Sequence, residues 1–126
     1  MIKKIFNIDN KWKVIVYYNI DYNLFDYIAD DIYNLGISDK LINRIYKMMK
    51  SGKAKAVTIS SPVKKCSIVG FNFTNSKYDL INSIVHEAVH VMEAMLNYYD
   101  VDVTGEPPAY TLGYLVQIMI QPLALI

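Results

Sequence analysis

The chain has 126 residues, 53% of them hydrophobic and 20% charged, with a formal net charge of +1, a length that supports one domain over residues 1–126 and leaves no room for a second. Cys66 is the only cysteine, which excludes an internal disulfide and suits a reducing, cytoplasmic setting. No stretch approaches the roughly 20 apolar residues that span a bilayer, and Asn7 and Asp9 come before any apolar run long enough for a signal peptide, so a soluble protein without a membrane partner is expected.

In chain order, two strands are predicted near residues 2–8 and 12–18, with Asp9-Asn10 turning between them. Residues 21–36 place apolar side chains at helical intervals and end on Gly36. Ser38 can cap a second helix that runs to about Lys50, before Ser51-Gly52. Two more strands follow, Ala56–Ser60 and Ser67–Phe73, joined through Ser61-Pro62. A long helix begins after Asn75 or Ser76, with Ile81, Ile84, Val85, Ala88, Val89, Met92 and Met95 as its apolar surface. A closing helix opens near Glu106 and ends by Pro122; Pro107 should hold Glu106 at the cap rather than inside the helix. The order predicts an α+β domain: a small, mostly antiparallel sheet with supporting helices, then the long helix and a final helix across it. The strand at 67–73 is either a sheet edge, able to hold an extended peptide by main-chain hydrogen bonds, or an internal strand.

Charge is divided along the chain. All thirteen Lys and Arg lie at or before Lys77 against six aspartates, a balance of +7, whereas residues 78–126 carry six acids and no base, a balance of −6. The lysines are scattered and no nucleic-acid motif accompanies them, so nucleic acid is not the expected partner. A bound divalent cation would relieve repulsion among the later acids.

Both histidines and all three glutamates fall between positions 86 and 106, starting with His86-Glu87-Ala88-Val89-His90. This is the HExxH pattern of zinc hydrolases. Residues four apart on an α-helix are about 6 Å apart along the axis and about 40° apart around it, so two imidazoles at that spacing can grip one Zn²⁺. Glu87 sits at the edge of that stripe, where its carboxylate can hold a water and take its proton as general base. The competing reading is a core helix with two partly buried histidines.

Catalytic zinc needs a third protein donor. Glu93 lies one turn past His90 on nearly the same stripe, and three donors on one straight helix seldom converge. Glu106, on the closing helix, fits better; Asp100 and Asp102 remain alternatives. A helix starting near Glu106 would present Tyr110, Gly113, Tyr114 and Gln117 on one face toward the histidine helix, and Tyr110 or Tyr114 could donate to an oxyanion there, ordinary packing being the other reading.

Over roughly residues 77–117 the chain resembles the gluzincin branch of the HExxH zincin metallopeptidases, and within it small phage or mobile-element encoded proteins with an HExxH helix followed by a Glu-x-x-Ala-Tyr helix. The resemblance implies a minimal zincin-like fold, a zinc-dependent peptidase acting on a peptide or protein substrate, His86, His90 and Glu106 as metal ligands, and Glu87 as base. The chain departs from the larger gluzincin families in having Tyr110 where they often carry an aspartate, and from the metzincin pattern in having Glu93 in place of glycine and no third histidine. A catalytically inactive zincin-like interaction or regulatory module is the alternative function.

Overall fold

A computed structural model of the chain describes residues 1–102 and 104–125. It opens on a hairpin, β1 (Ile2–Ile8) against β2 (Trp12–Tyr18). Asp9 and Asn10 turn it with φ of 51° and 57°, and Lys11 N–H donates to Ile8 O at 2.8 Å, the primed turn whose twist matches that of paired strands. Asp21 accepts from Asn23 N–H to start a 3-10 turn at Tyr22–Leu24, which runs into α1 (Phe25–Asn34). Ser38 Oγ accepts from Leu41 N–H at 3.3 Å and caps α2 (Asp39–Lys50). After β3 (Ala56–Ser61) and β4 (Cys66–Phe71), Ser76 caps α3 (Lys77–Tyr98), and the chain closes with α4 (Glu106–Ile120) and a 3-10 turn. None of the helices among the described residues is long and apolar enough to cross a membrane.

The sheet order is β1-β2-β4-β3. The outer pairings are antiparallel and the central one, β2 with β4, is parallel, so the sheet is mixed. The parallel step follows from connectivity: β2 and β4 are joined by a long crossover through α1, α2 and β3. This settles the strand before the histidine helix as internal; the free edges belong to β1 and β3, and β3 is the one beside β4.

Strand alternation divides the core. Val14, Val16, Tyr18, Val69 and Phe71 pack on one face with Leu80, Ile84, Val91, Leu115 and Met119 from α3 and α4. Ile15, Tyr17, Cys66 and Ile68 point the other way into Ile28, Ile32, Ile45 and Met49 of α1 and α2. Helices therefore cover both faces, and β2 is buried at every position but Lys13, with an unbroken apolar and aromatic run from Val14 to Tyr18.

The seven residues between α3 and α4 reach at most about 25 Å, less than the ~33 Å length of a 22-residue helix, so α4 folds back along α3. Gly105, with φ of 89°, takes the N-cap, and Glu106 is the first helical residue, one position inside the expected cap. The face of α4 that meets the core also differs from expectation. Pro108, Leu115, Ile118 and Met119 are buried, while Tyr110, Gly113, Tyr114 and Gln117 are exposed. Burial follows the larger apolar stripe on the opposite side of the helix, where more surface leaves water.

Candidate metal centre

Helix α3 buries Leu80, Ile84, Glu87, Ala88, Val91, Met92, Met95 and Leu96. Glu87 is thus a carboxylate in the middle of the apolar stripe, 5% exposed. What makes room for it is β3. Alternation puts Ala56, Thr58 and Ser60 on one face of that strand and leaves Val57 and Ile59 to pack in the opposite core. The face turned toward α3 is therefore small and polar, and Thr58 Oγ1 donates to Glu87 Oε1 at 3.1 Å. The buried acid has a partner, as burial requires.

His86 and His90 stand on the solvent flank of the same helix, the His86 side chain 70% exposed. Their Nε2 atoms are 3.3 Å apart, with the ring planes at 74° to one another. Glu87 Oε2, the oxygen that Thr58 does not engage, lies 3.8 Å from His86 Nε2. Donor atoms of the three residues all fall within 4.8 Å of one another, the only such group among the described residues.

The three side chains could hold a metal ion. Two nitrogens bound at about 2.0–2.1 Å with a tetrahedral angle between them are separated by about 3.3 Å, and the two imidazoles hold 3.3 Å. The alternative of a partly buried core pair is not what the structure shows, since both rings face solvent. They border a groove of about 660 Å³ between α3 and the edge strand, with Ala56, Thr58 and Ser60 on one wall and Ser83, His86, Glu87 and His90 on the other.

The remaining sequence candidates lie elsewhere. Glu106 opens α4, exposed, and it does not join the three. Glu93 is exposed one turn past His90. Asp102 accepts from Thr104 N–H at 3.0 Å and Thr104 Oγ1 at 2.9 Å, and Asp100 ends α3 with φ of 56°. Tyr110 and Tyr114, 75% and 49% exposed, do not line the groove. Cys66 is buried on the other face of the sheet, where desolvation raises its thiol pKa. Thr58 is the site residue that sequence reasoning passed over. Its signal was the run Ala-x-Thr-x-Ser in an otherwise apolar strand, which marks a face built to meet a polar group.

Comparison with protein-family models, with curated proteins and with solved structures returns no match to this chain.

Proposed function

We propose that the chain is a zinc-dependent, zincin-like peptidase in which His86 and His90 hold the ion and Glu87 is the general base. The observation that carries this reading is the convergence of two imidazole nitrogens 3.3 Å apart with a carboxylate oxygen 3.8 Å from one of them, in a groove beside a free strand edge. A zinc ion held there would supply the positive charge that acidifies water and polarises a peptide carbonyl.

The protein's own groups do the rest. Thr58 fixes one oxygen of Glu87 and leaves the other facing the histidine pair, poised to take a proton from water and return it to the amine nitrogen that leaves. The edge of β3 away from β4 carries unpaired main-chain groups that can hold a peptide in extended form along the groove. Glu87 is also shielded from bulk water, which strengthens its interaction with a bound proton donor.

Elemental analysis and peptide-library hydrolysis test the reading together. Wild type should carry about one zinc and cleave peptides; His86→Ala should lose both, and Glu87→Gln should keep zinc while hydrolysis falls on the order of 10²–10⁴-fold. Retained turnover in Glu87→Gln removes the base assignment, and a wild-type protein without zinc affinity removes the metal site.

One observation favours a second reading, an inactive zincin-like interaction module: among the described residues no protein donor beyond Glu87 joins the histidine pair. Zinc binding without cleavage of any peptide would select that reading. Glu106→Ala separates two ways of completing the site. A drop in zinc affinity of about tenfold or more assigns Glu106 as a ligand in the loaded protein, and an unchanged affinity assigns the third position to Glu87 or water.

A further inference from the structure

The groove does not end at the histidines. Toward the start of β3 and of α3 it opens into a second cavity of about 350 Å³, and the two share Ala54, Lys55 and Ser83 as walls. The floor of this cavity is apolar, made by Ile20, Met49, Phe71 and Leu80, and Phe73 stands exposed at its rim. Lys50 and Lys55 complete the rim. Asp79 is the acid there, paired to Lys55 at 3.9 Å with both side chains more than half exposed, and Lys50 Nζ donates to Tyr46 Oη at 2.9 Å. From Lys40 to Lys55 the chain carries six bases and no acid, so the surroundings of the cavity are positive.

Two elements give the same distance from the reactive carboxylate. Lys55 precedes Thr58 by three strand residues, about 10 Å, and Leu80 precedes Glu87 by seven helical residues, also about 10 Å. An extended peptide covers that distance in about three residues.

We propose that this cavity is a specificity subsite of the groove, which takes a large apolar side chain of a peptide about three residues from the bond at the histidine pair, with an adjacent acidic residue against Lys50 and Lys55. The inference rests on the reading of the groove as a peptide track. Its volume lies at the lower end of cavities that bind small molecules, enough for one large side chain. The apolar floor is what sets it apart from a phosphate track: a nucleic-acid backbone would use the lysines and leave the floor empty.

A random peptide library panned on the Glu87→Gln protein with zinc present reads binding without turnover. The proposal requires enrichment of an apolar residue next to Asp or Glu. Charge reversal by Lys50→Glu with Lys55→Glu, both at exposed positions, should weaken the selected acidic peptides about tenfold and shift selection to Lys or Arg at the same place, while Phe73→Ala should relax the apolar preference. Identical selections on the two proteins, or no peptide retained by either, overturn the subsite. So does tighter binding of a generic oligonucleotide that displaces the peptides. Failure of the peptidase reading looks different: selected peptides bind wild-type protein in the predicted pattern but are never cut. Cleavage without preference three residues from the cut removes the subsite alone.

Discussion

At the residue scale, Glu87 depends on Thr58. A carboxylate 5% exposed on an apolar helix face is tolerated because a hydroxyl on the neighbouring strand donates to it. Thr58→Val keeps the volume and removes the donor, leaving Glu87 Oε1 buried without that partner; the expected loss is about 1–3 kcal/mol of folding stability, read from denaturant midpoints. In the same variant kcat should fall with KM little changed, since the base loses its orientation while the peptide track stays, and Thr58→Ser should restore both. Stability equal to wild type would show that the hydroxyl does not hold the acid. Cys66 makes a simpler case. Burial raises its thiol pKa and closes access, so a thiol reagent should label it slowly in native protein and rapidly in denaturant; fast native labelling would contradict the packing of α1 and α2 on the sheet.

At the element scale, the end of α3 is held by a non-glycine residue in a glycine conformation. Val101 N–H donates to Leu96 O at 2.8 Å and Asp100 N–H to Asn97 O at 3.2 Å, the Schellman pattern, with Asp100 at φ 56°. Asp100→Gly relieves the left-handed strain and should stabilise the protein by about 0.5–1 kcal/mol, less what the freer unfolded chain gives back; a lower melting temperature would mean the aspartate side chain supports the turn. Such local features are what the sequence made legible. The Asp9-Asn10 turn, the Ser38 and Ser76 caps and the His86, His90 spacing are decided within a few residues, and each appears where local rules place it. What local rules could not reach was pairing across the fold. Whether the strand predicted at 67–73 is an edge depends on where β3 docks, 29 residues separate Thr58 from Glu87, and the face α4 turns inward depends on competition between Gly113 and Leu115 for a core already half built by α3. Glu106 belongs to the same class: its chemistry suits a ligand, but whether it meets the histidine pair depends on how α4 docks on α3, which the spacing of the motif does not reveal.

At the scale of the whole molecule, the sheet separates a layer that holds the chain's run of bases from the acidic α3–α4 layer, and the two histidines sit on the acidic side. Zinc that binds only the folded state should therefore raise the melting temperature, by the equivalent of about 2.7 kcal/mol at a hundredfold excess over Kd; a chelator should reverse the gain, and His90→Ala should abolish it. The layers are tied together by tyrosines with a pH dependence of their own. Tyr18 Oη, buried under α4, donates to Met119 O at 2.7 Å, and desolvation raises its pKa well above the ordinary 10.0. Tyr17, on the opposite face, is raised first by burial and then by its hydrogen bond to Asp31. Because the folded state holds these protons more tightly than the unfolded chain does, their contribution is fully present below pH ~10 and is lost as pH rises from there toward the folded-state values, at up to about 1.4 kcal/mol per pH unit for each group. Denaturant unfolding at intervals from pH 7 to 11.5 should show no loss from this source until about pH 9.5 and a steepening decline beyond it. Tyr18→Phe gives up the bond to Met119, about 1 kcal/mol at pH 7, yet should decline less steeply in alkali because one of the two titrating groups is gone. Parallel slopes for wild type and Tyr18→Phe would mean that the phenol ionises without disturbing the contact between sheet and α4, and that alkaline unfolding starts on the Tyr17 side.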